Sequence, residues 1–193
     1  MAADGLSEAF LAALARRRAT GERTPRAAAA DRAVARLAAW GARRALVAGD
    51  PWLDDLGVPD ALGRAGVEVV RWPADRGWRE LLGLDGAPPA CAVTVPALAV
   101  ARRGTLVLES APQHGRSLDA VGWWHLAVLD AGRLVPTLGE ALARTYAPGR
   151  PPPSGVSLVS GPSRTSDIEK IATYGAHGAL AEHVLLIEDG AAA

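Results

Sequence analysis

The segment from Ser160 to Gly178 holds the residues best suited to chemistry in this sequence, and it reads SGPSRTSDIEKIATYGAHG. The pair Gly161-Pro162 breaks regular structure, so it predicts a turn after the apolar run Val156–Val159. Arg164 follows in this turn, and its planar guanidinium can donate two parallel hydrogen bonds to a carboxylate or a phosphate. A polar turn that carries an arginine at a strand end favours the binding of a small anion.

A helix is expected directly after this turn. Ser166 and Glu169 have the spacing of a capping box, in which each side chain accepts a hydrogen bond from the backbone N–H of the other residue. This spacing predicts a helix over Asp167–Tyr174 that Gly175 ends. The N–H groups at a helix start attract anions, although Asp167 already complements the helix dipole there. The alternative, an ordinary strand-to-helix turn with a well-formed cap, stays open.

A second group of acid–base residues lies near the middle of the chain. Glu109 ends an apolar run, and His114 and Arg116 follow close behind it. A base, a second proton-transfer group and an anion clamp would suit acid–base or nucleophilic catalysis. A solvated loop carboxylate is the simpler interpretation of Glu109, and we prefer it. His177, in the turn Gly-Ala-His-Gly, is another catalytic candidate because histidine titrates near neutral pH.

Gly104 and Thr105 form a third candidate site. Gly104 would let a ligand approach the backbone closely, and Thr105 would offer a hydroxyl, although a glycine that simply begins a strand fits equally well. Ligands of open α/β sheets bind beyond the carboxyl ends of the strands. We therefore expect Gly104-Thr105, Glu109–Ser117 and Ser160–Thr165 to gather at that edge of the sheet.

Metal ions and nucleotide cofactors have no recognisable motif in this chain. The four histidines lack the His-Glu-x-x-His spacing, and neither a phosphate-binding P-loop nor a dinucleotide fingerprint is present. Cys91 is the single cysteine, so the chain cannot supply the thiolates of an iron–sulfur cluster. We expect no metal site and no cofactor in this chain.

The elements that must position these residues are short strands alternating with helices. Strands are predicted at Ala45–Ala48, Val67–Arg71, Cys91–Val95, Thr105–Leu108, Trp123–Leu129, Val156–Val159 and Val184–Ile187. Helical segments are predicted at residues 1–19, Arg26–Ala39, Leu53–Ala65, Gly77–Leu82, Leu98–Ala101 and Pro136–Tyr146, with Thr20–Pro25 as a linker. Continuously apolar strands are typical of a mostly parallel sheet with helices on both faces. The sequence thus predicts an α/β fold, with an N-terminal helical arm (1–25) and a main domain (26–193).

Composition excludes several classes of partner. The formal net charge is zero, which argues against a nucleic acid held by bulk electrostatics. No run of 18 apolar residues predicts a membrane span, and no secretory signal is visible at the N-terminus. Three arginines at the end of the first helix are too few for firm membrane attachment, so we expect that helix to dock on its own domain or on a second subunit. A cytoplasmic location is expected.

The string SGPSRTSDIE, followed by GAHG, resembles the C-terminal signature of the lactate utilization protein C family, which is built on the LUD domain. Ala101–Leu108 resembles the Gly-Thr element in the middle of that domain, and Trp124–Leu129 with Leu134-Val-Pro resembles the part that follows it. The resemblance covers roughly residues 40 to 190. It implies a fold like that of the isomerases of glucosamine 6-phosphate and ribose 5-phosphate and of the CoA transferases.

The resemblance implies a cytoplasmic component of the system that oxidises L-lactate to pyruvate, acting as a ligand-binding or accessory subunit. Iron–sulfur lactate-utilization proteins would be its partners and would carry the clusters. Two alternatives stay open: a free-standing enzyme like the sugar-phosphate isomerases or CoA transferases that uses Glu109, and a scaffold whose polar loops build an interface. Homo-oligomerisation also stays open. The candidate ligand-binding residues, for a small anionic ligand, are Gly104, Thr105, Ser160, Gly161, Pro162, Ser163, Arg164, Thr165, Asp167, His177 and Gly178.

Overall fold

A parallel sheet forms the centre of the fold in the computed structural model, which describes residues 3–73, 90–116, 118–166, 172–175 and 178–188. The strands in these ranges are β1 (Thr20–Pro25), β2 (Arg44–Val47), β3 (Glu68–Arg71), β4 (Ala90–Thr94), β5 (Leu98–Val100), β6 (Thr105–Glu109), β7 (Trp124–Asp130), β8 (Leu134–Val135), β9 (Val156–Val159), β10 (Arg164–Ser166), β11 (Ala172–Tyr174) and β12 (Ala181–Glu188). The helices are α1 (Ala3–Arg16), α2 (Ala29–Trp40), α3 (Pro51–Asp55), α4 (Val58–Arg64), α5 (Leu118–Val121) and α6 (Leu138–Thr145).

The central sheet has six parallel strands in the order β1-β12-β7-β4-β2-β3. Every residue of β2 and β4 is buried, and so are the inner residues of β7 and β12. Strands that are buried on both faces cannot alternate polar and apolar residues, which explains the continuous apolar runs of the sequence. The predicted α/β fold with a mostly parallel sheet is confirmed.

The two faces of the central sheet are covered differently. Helices α2, α3 and α4 pack on one face, in a core that contains Leu37, Leu53 and Leu62. On the other face lie α1 and a small sheet with the order β8-β5-β6-β9. Phe10 and Leu14 of α1 are fully buried in this second core, so α1 docks on its own chain.

One predicted linker and one predicted helix are strands in the structure. The predicted linker Thr20–Pro25 is strand β1, and all six of its residues pair with β12. Its sequence, TGERTP, is polar because β1 is an edge strand, so the apolar pattern that marks the inner strands is absent. The predicted helix Leu98–Ala101 is strand β5, since pairing with β6 and β8 overrides a local preference in so short a segment. The predicted helical turn Gly77–Leu82 lies outside the described residues.

Across the described ranges, no helix combines the length and the apolar character needed to cross a membrane.

Candidate functional site

A cleft of about 780 Å³ lies between the two sheets. Its walls come from the end of α1, from α5, from the first residues of β7 and β12, and from the segment between β9 and β10. The predicted segment Ser160–Arg164 lines this cleft together with Gly178. Five of the predicted binding residues in that segment, and Gly178, are thereby brought to one site.

Arginines surround the mouth of the cleft. Arg16, Arg17 and Arg18 come from the last turn of α1 and the turn after it, and Arg164 begins β10. All four residues are exposed. Basic side chains are favoured at the end of a helix because they complement the negative pole of its dipole. Here the same placement also gives the cleft a cationic rim.

The buried wall of the cleft carries a carboxylate and an imidazole. Glu182 of β12 and His125 of β7 are partners in adjacent strands, and each side chain is 1% exposed. Nδ1 of His125 lies 3.6 Å from Oε2 of Glu182, while Nε2 lies 2.8 Å from Oγ1 of Thr94 in β4. Within the described ranges, Nδ1 of His125 and both oxygens of Glu182 have no hydrogen-bond partner. Buried polar atoms without partners are rare in folded proteins, so this group points to a ligand.

A further carboxylate, that of Asp119 in α5, also lines the cleft. Its buried Oδ1 has no partner among the described residues. The cleft therefore combines a cationic mouth with hydrogen-bond acceptors on its inner wall. This arrangement suits a small anion that also carries a hydrogen-bond donor.

The segment between β9 and β10 is held by contacts to three neighbouring parts of the chain. Ser163 N–H donates to the carbonyl of Ala179 at 2.9 Å, and the hydroxyls of Ser160 and Thr105 lie 2.7 Å apart. Gly161 adopts a φ of +87°, and a Cβ at this position would collide with the carbonyl of Arg17. Only glycine allows this close approach, which connects the predicted turn to the end of α1.

The helix predicted after this turn is wrong where the structure describes it. Arg164–Ser166 and Ala172–Tyr174 form an antiparallel pair of strands, β10 and β11. The capping-box spacing is a local preference worth about 1 kcal/mol, so strand pairing can override it. Residues 167–171 and 176–177 lie outside the described residues, and with them the candidates Asp167 and His177.

Gly104 and Thr105 lie behind the cleft rather than in its lining. Gly104 has a φ of +61°, and a Cβ added to it would lie 2.8 Å from the backbone N of Leu14. The close backbone approach predicted for a ligand is thus made by helix α1. Thr105 is buried, and its hydroxyl contacts that of Ser160, which lines the cleft. Thr165 is exposed and is also absent from the lining of the cleft.

Glu109 is engaged elsewhere. Its carboxylate accepts a hydrogen bond from Thr145 at 3.0 Å and forms a two-armed ion pair with Arg150. His114 and Arg116 line a different cavity, of about 730 Å³, together with Trp72. The three predicted acid–base residues therefore do not converge on the cleft of Ser160–Arg164.

The expectation that three loops gather at the carboxyl ends of the strands is wrong. Gln113, in the loop after β6, accepts a hydrogen bond from Gly49 N–H just beyond the carboxyl end of β2. The cleft instead opens at the amino ends of β7 and β12, where His125 and Glu182 are each the second residue. Sequence reasoning missed both residues. Their signal was an ionisable side chain inside an otherwise apolar strand, which is rare unless the side chain is paired or functional.

Metal coordination has no candidate group in the described residues, where no three His, Cys, Asp or Glu side chains cluster suitably. The Cys91 thiol is buried in β4, and burial raises its pKa, which keeps it protonated and a poor ligand.

Comparison with known proteins places the chain among relatives of bacterial origin. An uncharacterized protein of Escherichia coli (strain K12), YkgG, is 31% identical over 87% of this chain and 73% of its own length. Lactate utilization protein C of Halalkalibacterium halodurans is 30% identical over 79% of this chain and 66% of its own length. The protein of the same name from Bacillus subtilis is 27% identical over 72% of this chain. The chain spans between 60% and 73% of these relatives' own lengths.

A solved structure and a family model complete the comparison. The crystal structure of a DUF162 family protein from Deinococcus radiodurans matches with a TM-score of 0.62 at 20% identity, covering 97% of this chain and 99% of that one. This likeness supports the α/β fold. The LUD domain model matches residues 7–187, nearly the whole of the chain. With that match and a relative more than 30% identical over most of its length, this chain belongs to the LUD domain family.

Proposed function

We propose that this chain serves in lactate utilization as a ligand-binding subunit that holds a small carboxylate in the cleft between the two sheets. The relatives named lactate utilization protein C support the biological role. The cationic rim of the cleft, Arg16–Arg18 with Arg164, is the observation that carries the binding role. An arginine fork matches the geometry of a carboxylate, and a cleft of about 780 Å³ is of the size that small-molecule sites have.

The iron–sulfur chemistry of the system belongs, in this proposal, to partner proteins. Cys91 is the sequence's single cysteine and is fully buried, so this chain offers no thiolate set for a cluster. L-Lactate oxidation needs an electron acceptor, and a partner that carries clusters would supply it. The purified chain should therefore contain far less than one iron atom per protein molecule. An absorbance band of a cluster with matching iron content would overturn this part of the proposal.

The alternative enzyme, which would use Glu109 as a nucleophile, has no observation in its favour. The carboxylate is shared between Thr145 and Arg150, and it does not line the cleft. A nucleophile needs an accessible and activated oxygen atom beside its substrate. Glu109 instead connects β6 to Thr145 at the end of α6 and to Arg150 in the loop that follows α6.

The proposal is tested by titrating the purified protein with L-lactate and with pyruvate at fixed ionic strength. Arg164→Ala should weaken carboxylate binding about tenfold or more, because a hydrogen bond to a charged group contributes roughly 1.5–3 kcal/mol. Arg164→Lys should also bind weakly, since it keeps the charge but loses the planar fork. Arg26→Ala is the matched control, as Arg26 is exposed and lies away from the cleft.

The melting temperature distinguishes a binding role of Arg164 from a structural one. Since Arg164 is exposed, its variants should melt within a few degrees of the wild type. They should also fail to restore growth on lactate in a strain that lacks the wild-type gene. If wild type binds neither carboxylate, or if Arg164→Ala binds both as the wild type does, the proposed site is wrong.

A further inference from the structure

Glu182 and His125 present three unsatisfied polar atoms to one buried wall of the cleft. Both oxygens of Glu182 and Nδ1 of His125 are without hydrogen-bond partners in the part of the chain that the structure describes. The two side chains are each 1% exposed and line the same cleft. Leaving buried polar atoms unpaired destabilises the fold, so a stable site is expected to obtain its missing partner from a ligand.

The orientation of the imidazole is held by the central sheet. Oγ1 of Thr94 lies 2.8 Å from Nε2 of His125, on the side of the ring opposite to Nδ1. Glu182 and His125 are register partners in β12 and β7, and Thr94 is the last residue of the neighbouring strand β4. Three adjacent strands of one parallel sheet thus carry the group. Rigid elements of this kind can hold hydrogen-bonding atoms in a fixed geometry better than loops can.

The chemistry of these atoms selects among carboxylates. A carboxylate such as that of Glu182 accepts hydrogen bonds and, when ionised, donates none. A 2-hydroxy acid offers a hydroxyl that donates, whereas the corresponding 2-keto acid offers a carbonyl that only accepts. With the ligand's own carboxylate at the arginine rim, the hydroxyl would satisfy Glu182 and a keto oxygen would face it unpaired.

We infer that the Thr94–His125–Glu182 group recognises the hydroxyl of the bound ligand and makes the cleft selective for 2-hydroxy acids over 2-keto acids. This inference rests on the proposed function, since it needs a carboxylate to bind in the same cleft. In these terms Glu182 and His125 are binding residues, and Thr94 is a positioning residue that acts through His125.

The test compares the Kd of L-lactate with the Kd of pyruvate by calorimetry, on the full chain at neutral pH. Wild type should bind L-lactate at least about tenfold more tightly than pyruvate, the difference expected for one hydrogen bond to a charged acceptor. Glu182→Gln keeps the size of the side chain but adds an N–H that can donate to a keto oxygen. In this variant the preference should fall to within about threefold, while pyruvate binding persists.

Two controls keep the result interpretable. Glu8→Gln changes an exposed glutamate of α1 outside the cleft and should leave the ratio of the two Kd values unchanged. Thr94→Val removes the hydroxyl but keeps the shape, so it should lower the preference for L-lactate even if Glu182→Gln fails to fold. Equal binding of both acids by wild type, or an unchanged preference in a folded Glu182→Gln or Thr94→Val, would overturn the inference and leave the proposed function standing. Absence of binding of either acid to wild type would overturn both.

Discussion

At the scale of single residues, Glu109 shows how a motif that suggests catalysis can serve the fold. Its side chain is 10% exposed and is ion-paired with Arg150, which is 45% exposed. The carboxylate also accepts a hydrogen bond from Thr145. Nothing in the local sequence reveals these partners, because they lie 36 and 41 residues further along the chain. Sequence reasoning therefore predicted the position of Glu109 at a strand end, but not its role.

Replacing Glu109 by Gln should lower stability and spare function. The variant should lose about 1–2 kcal/mol of unfolding free energy, because the carboxylate of Glu109 is largely buried whereas its partner Arg150 is about half exposed to solvent. Carboxylate binding and growth on lactate should persist. Denaturant unfolding of Glu109→Gln, Arg150→Gln and the double variant measures the coupling between the two residues. A stable variant that has lost all activity would instead support a catalytic Glu109.

His183 links stability to pH. It lies on the opposite face of β12 from Glu182, with Nδ1 2.6 Å from Oγ1 of Thr20 and Nε2 3.2 Å from Oε1 of Glu22. Burial, assisted by the charge of Arg36, lowers the pKa of His183 to about 4 against the opposing influence of Glu22. The unfolded histidine titrates near 6.5, so between these values the unfolded state binds more protons than the folded state.

The melting temperature should therefore fall as the pH is lowered from about 6.5 to about 4, and this fall should be smaller in His183→Gln. Burial also lowers the pKa of His114, which adds a loss in the same direction, so some pH dependence should remain in the variant. His114→Gln is the matched comparison. Thermal unfolding at half-unit pH steps measures the effect. Curves of melting temperature against pH that superimpose for wild type and His183→Gln would contradict the assignment.

At the scale of elements, the apolar strands of the central sheet were predictable and the polar or short strands were not. Burial on both faces leaves a readable apolar run in β2, β4 and β7. Strand β1 lies at the edge of the sheet, and in the described part of the chain β10 and β11 form a separate two-stranded sheet, so no such run marks them. The conformation of β1 follows from its pairing with β12, which is distant in sequence. The conformation of β10 and β11 follows from a local pairing that competes with helix capping.

Gly104 lies against the backbone of α1, whereas the sequence predicted that it would contact a ligand. Gly104→Ala should lose more stability than Gly41→Ala, although both positions have a φ near +60° to +70°. A side chain at a positive φ costs about 1–2 kcal/mol at either position. At Gly104 the added Cβ would also meet the backbone of α1 at 2.8 Å, whereas nothing lies within 4 Å of it at Gly41. Overpacking of this kind adds about 1–3 kcal/mol.

Chemical denaturation of both alanine variants measures this difference directly. Gly104→Ala should in addition weaken carboxylate binding, since displacing α1 moves Arg16–Arg18 at the mouth of the cleft. Gly41→Ala, at the end of α2, should bind as the wild type does. Equal losses of stability in the two variants would contradict this prediction, because α1 would then accommodate the extra methyl group by a shift that does not lower stability.

At the scale of the whole molecule, the cleft exists only because α1 and the small sheet cover the same face of the central sheet. The end of α1 and the turn after it supply three arginines, the segment after β9 supplies the fourth, and the central sheet supplies the buried acceptors. The α/β class predicted from the sequence is confirmed, and the predicted binding segment Ser160–Arg164 lines the cleft, where ligand binding stays a prediction. The sequence did not predict the meeting of these parts, because contact across two sheets depends on side-chain packing that local patterns do not encode.

Helix α1 is expected to be an integral part of this assembly. Phe10→Ala should lower the unfolding free energy by about 3–5 kcal/mol, since Phe10 is fully buried in the core beneath α1. Glu8→Ala, at an exposed position of the same helix, should change it by no more than about 0.5 kcal/mol. Hydrogen exchange adds an independent measurement, because the amides of α1 should open with nearly the same free energy as those of β12.

A detachable arm would give the opposite results. Phe10→Ala would then leave the main melting transition unchanged, and the amides of α1 would exchange far faster than those of β12. Strand β1 argues against this outcome, because it follows α1 after only three residues and pairs with β12 along its whole length. Freeing α1 would also expose Leu14, Ala99 and Leu106 to water. The loss of that burial, at roughly 25 cal/mol per Å² of apolar surface, opposes any opening of α1 that leaves the rest of the fold intact.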